Sequence, residues 1–151
     1  MGPTIMEPLT VPGTLDSLTR IGQYVNAAAA AAGLDKKVAY RLRLAVDEIA
    51  TNIIVHGYEE AGRAGDVLVR AALDQATVTI TLEDTAGPFD PRNRLRPDHI
   101  DLPIEERPIG GLGVYLTTEN VDRFEYEYVG NRNRNIFIMN RPKGAGSPAT
   151  G

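Results

Sequence analysis

The stretch RLRLAVDEIATNIIVHGY, residues 41–58, constrains the fold of this chain more than any other. Val38, Leu42, Ala45, Val46, Ile49 and Ile53 recur at offsets of three and four, which lines them along one helix face. A helix with so wide an apolar stripe must bury it against a second layer. Asp35, just upstream, is a natural N-cap. One long helix is predicted to run on to Tyr58. At about 100° per residue, Glu48 and Asn52 fall on the shoulder of the stripe, at the rim of the core, where a pocket belongs. His56 falls nearer the stripe and reads as a packed or capping histidine, since nothing nearby supplies further metal ligands.

The flanking sequence supplies the second layer. Residues 4–11 alternate weakly, with Pro8 inside the stretch and Pro12 at its end, as in an edge strand or extended lead-in. Leu15, Leu18, Ile21, Tyr24 and Val25 open a helix over 15–32 that an alanine run extends, and Gly33 is suited to end it. Val67–Leu73 and Val78–Leu82 are β-rich runs joined by a short link, a predicted hairpin. Two more strands, about 122–129 and 134–140, form a closing hairpin around Gly130-Asn131. Between the hairpins, residues 92–109 are polar, proline-containing and without periodicity. Such a long loop in a compact domain usually serves as a lid or binding element.

Strict β-α-β alternation is absent, so a doubly wound fold is not expected. The order instead predicts an α+β fold, a two-layer α/β sandwich with helices on one face of a mixed, mainly antiparallel sheet. Residues 1–143 are expected to form a single domain with a lid at about 92–110, and 144–151 a disordered tail.

Composition removes several classes of function. The chain has no cysteine, no apolar run near the roughly 20 residues a membrane span needs, and a start without the pattern of a secretory signal. A cytoplasmic protein that does not engage a membrane is expected. The formal net charge is −4, from 16 basic and 20 acidic residues. Nucleic-acid partners call for a basic surface, so none is expected. The local runs RNRLR (92–96) and NRNRN (131–135) read as solvated loops.

Three motifs hold candidate chemistry. Glu48 and Asn52, four apart, share a helix face; an amide oxygen suits Mg²⁺, and a carboxylate can take a proton from an attacking hydroxyl. Many such pairs are only solvated polar positions. DTAGPFDP (84–91) ends a strand; its aspartate could accept from an exocyclic amine while small residues let a flat ring approach, although a plain turn has the same composition. Gly110-Gly111-Leu112-Gly113 opens an apolar helical segment, where free N–H groups and the helix dipole attract phosphate. A flexible hinge would look the same, and no Walker A Lys-Ser/Thr follows.

Together, EIATNIIVHGYEE, DTAGPFDP and PIGGLGV resemble the GHKL (Bergerat-fold) ATPases over about residues 10–141. More narrowly they resemble the RsbW-like serine kinases that act as anti-sigma factors. That resemblance implies ATP and Mg²⁺ as cofactors. It implies Glu48 as the base that activates a substrate serine, Asn52 as the Mg²⁺ ligand and Asp84 as the residue that recognises adenine. Ala86 and Pro88 stand where the family places glycine, or glycine and proline, beside the base. Gly110, Gly111, Leu112 and Gly113 would close over the phosphates. Asn135 would lie near the adenine, and Arg20 would contact partner proteins.

The implied function is a partner-switching serine kinase and anti-sigma factor. Its partners would be a STAS-domain anti-anti-sigma protein and a sigma factor or analogous target, with a homodimer expected. The alternatives are a non-catalytic module that sequesters a partner, and a switch kinase that acts on a phosphatase. Ala86 is the departure that keeps the first alternative open: it adds a methyl group and lacks the glycine tolerance for positive φ, which would weaken nucleotide binding.

Overall fold

The structure, a computed structural model, describes residues 3–94 and 119–143. Gly110, Gly111, Leu112 and Gly113 lie outside the described residues, as do most of the expected lid, the helix expected from Val114 and the tail from 144. The described chain runs β1 (Thr4–Ile5), β2 (Leu9–Pro12), α1 (Leu18–Ala31, preceded by a 3₁₀ turn), α2 (Lys36–Asn52), β3 (Asp66–Leu73), β4 (Thr77–Asp84), β5 (Arg123–Val129) and β6 (Arg132–Asn140). The strands make one sheet in the order β1-β3-β4-β6-β5, with β2 also on β3, and every described pairing is antiparallel. Both helices lie on one face, so the α+β sandwich is the observed fold.

Local signals explain the element ends. Asp35 accepts a hydrogen bond from Val38 N–H at 2.9 Å and caps α2. Gly33 takes φ 75°, and Leu34 N–H reaches back to the Ala29 carbonyl at 3.1 Å, a Schellman closure of α1. The β5–β6 connection is the two residues Gly130-Asn131, each with φ 62°, which matches the twist of a tight hairpin. The expected single strand over 4–11 is instead two short strands, because Pro8 has no N–H to give the ladder. Both strands lie against β3.

Alternation sets the core. Val67, Val69, Ala71 and Leu73 of β3, Val78, Ile80 and Leu82 of β4, and Phe137 and Met139 of β6 face the helices and are buried. From α2, Leu42, Ala45, Val46, Ile49 and Ile53 meet them, as the apolar stripe requires. Val38 packs at the edge, half buried.

The predicted single helix to Tyr58 needs correction. α2 ends at Asn52 and continues as a π-helical segment, Ile53–Glu59. Continued at an α-helical 100° per residue, Tyr58 would point opposite Ile49. A π turn advances less per residue and swings it back toward the core. Tyr58 is only 2% exposed. Its hydroxyl donates to the Asp66 carbonyl at 2.8 Å and accepts from Thr85 N–H at 2.9 Å. Gly13 and Gly65 make room for the ring: a Cβ at either would sit within 2.7 Å of it. Removing the hydroxyl leaves a buried N–H and a carbonyl to find new partners, so Tyr58→Phe should cost about 1–3 kcal/mol in chemical unfolding. Tyr40→Phe, at a ring 62% exposed, should leave stability unchanged.

Candidate functional site

At the ends of β4 and β6 the inward rows that form the core turn polar. Asp84 and Asn133 face each other across the ladder, as do Leu82 and Asn135. Asp84, Asn133 and Asn135 close one end of a cavity of about 240 Å³. Its other walls come from Ile49, Asn52, Ile53, His56 and Gly57 on the helical side, and from the turn Ala86–Phe89. Asn52 thus lines the cavity. Glu48, half buried on the same helix shoulder one turn earlier, is not among the lining side chains.

Asp84 is 1% exposed. Its Oδ1 accepts from Asn133 Nδ2 at 2.9 Å and from Ala86 N–H at 3.0 Å. Its Oδ2 is buried without a partner, and so are Asn52 Nδ2 and Asn135 Oδ1. All three belong to residues of the cavity wall. Buried polar atoms normally find partners, and here the space they adjoin is where a ligand would supply them. Burial pushes the Asp84 carboxyl above the usual carboxylate range, against the two hydrogen bonds that favour its charged form.

An anionic acceptor set in an apolar cleft suits a flat, amine-bearing ring. Pro88, Phe89 and Pro91 supply apolar surface, and Arg63 stands at the mouth. Asn52 could offer its amide oxygen to a metal held chiefly by water and phosphate oxygens, the manner in which Mg²⁺ binds. A protein-only metal site does not form: no group of three or more His, Asp or Glu is present among the described residues. His56 donates to or accepts from Glu60 through Nδ1 at 2.8 Å, one turn on, while its ring lines the cavity.

The remaining sequence-predicted residues fall as follows. Pro88 and Ala86 line the cavity. Ala86 does not have positive φ: among described non-glycine residues only Asn131 does. The expected loss of glycine tolerance therefore has no backbone cause at this position. Arg20 is exposed on α1, away from the cavity wall. The NRNRN run is not a loop. β6 starts at Arg132, Asn133 and Asn135 face inward, and Arg134 reaches Glu83 at 2.7 Å and Glu127 at 3.1 Å on the opposite face. Sequence reasoning missed Asn133, although the Asn-x-Asn alternation ahead of IFIM is the inward period of a strand.

The chain belongs to the histidine kinase-like ATPase domain family, which it matches over residues 11–140. It is similar to the serine-protein kinase RsbW of Bacillus cereus (strain AH187), 31% identical over 84 residues. It is likewise similar to that of Bacillus thuringiensis (strain Al Hakam), 32% identical over 84 residues. In each case 54% of this chain and 51% of the relative are covered, so the chain spans about half the length of the curated relatives it matches. A crystal structure of the RsbU and RsbW domains of a Mycobacterium tuberculosis protein superposes with a TM-score of 0.58 at 17% identity. It covers 91% of this chain and 34% of that one, and it supports the fold. None of the described helices is long and apolar enough to cross a membrane.

A half-paired buried carboxylate costs stability when ionised. The folded state holds the Asp84 proton more tightly than the unfolded chain does, so stability from this group is lost as pH rises from 3.8 through the raised value. In urea titrations, Asp84→Asn should therefore gain stability relative to the parent as pH rises above 3.8, the ordinary carboxyl value. An unchanged difference would show that ionised Asp84 is not a burden on the ligand-free fold.

Proposed function

We propose that this domain binds ATP with Mg²⁺ and transfers the γ-phosphoryl group to a serine of a STAS-domain anti-anti-sigma protein. The unphosphorylated antagonist and a sigma factor, or an analogous target, compete for the domain, which acts as a homodimeric switch. The observation that carries the reading is the set of three unpartnered polar atoms, on Asp84, Asn52 and Asn135, around one cavity. Further support comes from the ATPase-domain family match and from the similarity to serine-protein kinases.

In this reading Asp84 Oδ2 accepts a hydrogen bond from the adenine amine, and the Asn135 carboxamide completes the polar edge of the base site. Pro88 and Phe89 shield the ring from water. Asn52 turns its amide oxygen toward the metal and phosphates, because a carboxamide can offer either end. When bound, Mg²⁺ neutralises charge on the phosphates, as in phosphoryl transfer generally. Glu48, one turn along the same helix face from Asn52, orients the serine hydroxyl and takes its proton. Gly110, Gly111, Leu112 and Gly113, with the rest of the lid, close over the phosphates. Arg20 on α1 belongs to the partner-contacting surface.

A second reading draws on Glu48 lying outside the cavity wall: a nucleotide- or partner-binding module without transfer. One assay separates the two. Incubation with ATP, Mg²⁺ and a cognate STAS protein should give phosphoserine on that protein. Glu48→Ala should lower the transfer rate about 10²–10⁴-fold, the usual range for a general base, with ATP affinity retained. ATP binding without any transfer would sink the kinase and leave the module.

A further inference from the structure

We propose that Asn133, held by Tyr126, is a positioning residue that determines base specificity by fixing Asp84 as a one-sided acceptor. The inference rests on the nucleotide-binding reading above. Asn133 is 3% exposed, and both ends of its carboxamide are used inside the protein. Nδ2 approaches three acceptors: Asp84 Oδ1 at 2.9 Å, the Gly87 carbonyl at 3.0 Å and the Ala86 carbonyl at 3.1 Å. Oδ1 accepts from the Tyr126 hydroxyl and from Phe89 N–H at 3.1 Å. The donors on one side and acceptors on the other permit only one orientation of the amide. Two N–H bonds facing three acceptors and two lone pairs facing two donors leave nothing with which to read a ligand.

What Asn133 does is select which Asp84 oxygen the cavity meets. With Oδ1 saturated by Asn133 and Ala86, Oδ2 is the remaining acceptor. The same amide ties the backbone at Ala86, Gly87 and Phe89, which forms the wall beside that oxygen. The two donors on Oδ1 also favour the charged form of a carboxyl that burial pushes toward protonation. A protonated Asp84 could present an O–H to the ligand and would then accept a purine with a carbonyl at position 6 instead of an amine. By opposing that protonation and leaving one bare oxygen toward the cavity, Asn133 disfavours that alternative. Tyr126 acts one step further out: its hydroxyl also accepts from Phe89 N–H at 3.1 Å, and burial raises its pKa, which keeps it a donor.

The test is a comparison of ATP with inosine triphosphate, which replaces the 6-amine by a carbonyl, measured by calorimetry on the full chain. The parent should prefer ATP. Asn133→Ala should weaken ATP binding about tenfold or more, the worth of one well-placed hydrogen bond to a charged group, while inosine triphosphate changes by less than about threefold. Equal weakening of both nucleotides, or of neither, would overturn the proposal in favour of a purely structural role. Tyr126→Phe should narrow the same ratio by a smaller factor. It decides the question if Asn133→Ala does not fold by circular dichroism, an unchanged ratio again counting against the latch. A parent that binds neither nucleotide would overturn the nucleotide reading itself, and this inference with it.

Discussion

The Tyr58 hydroxyl holds together three parts of the chain that local preference alone would leave separate. It joins the end of the α2 segment to the first residue of β3 and to the residue after β4. That junction helps fix the helix layer against the sheet at the end of the sandwich where the cavity lies. The π-helical turn is what lets Tyr58 reach. Departures of this kind from regular helix are often found beside functional sites, and here the cause is visible: an aromatic ring must turn inward where α-helical rotation would point it out. Gly13 and Gly65 complete the arrangement by presenting no side chain to the ring.

The site is an extension of the core by other residue types. Down β4 and β6 the inward positions read Val78, Ile80, Leu82, Asp84 and Met139, Phe137, Asn135, Asn133. Burial is maintained while polarity changes, so each new polar group must be matched or left as a cost. Asn133 is matched completely, Asp84 on one oxygen, and Asn135 has one atom unmet. This gradient is what separates a scaffold residue from a recognition residue. On these two strands the unmet atoms of Asp84 and Asn135 belong to residues of the cavity wall, so the incomplete hydrogen-bond set there marks the place where the fold yields stability to binding.

Much of this was legible in the sequence because it follows from short-range rules. The Asp35 cap, the Gly33 closure, the apolar stripe of α2 and both hairpins each rest on spacing or on one residue's backbone preference. Asp84 and Asn52 are reached from their motifs and Asn135 from the family resemblance, and the structure brings all three to one cavity. Glu48 is expected on the shoulder of the stripe and is half buried there, but it is not among the residues that line the cavity. The rest depends on contacts distant in sequence. Asn133 matters because it lies opposite Asp84, a register relation that no local pattern states. Tyr58 looked like the last residue of a helix because its partners, Asp66 and Thr85, belong to other elements. Arg134 of NRNRN reads as solvated in the sequence because its partners Glu83 and Glu127 come beside it only through the sheet register, whereas Arg132 is exposed as expected.

Ala86 shows how such a distant contact changes the meaning of a departure from a motif. A glycine can be required for positive φ or for lack of a side chain, and these are separate demands. The backbone at 86 makes no use of positive φ, so only the methyl group remains to be accommodated. Opposite it stands Gly57, in the π-helical segment, where an added Cβ would come within 3.0 Å of the Ala86 Cβ. The close approach of helix and turn thus has room for one methyl group, and in this chain it is on the turn. Ala86 meanwhile uses its backbone fully, with N–H to Asp84 and carbonyl to Asn133. Substituting glycine there would leave those hydrogen bonds available but free a turn that the alanine restrains. The smaller residue would therefore loosen the wall that the Asn133 amide holds in place.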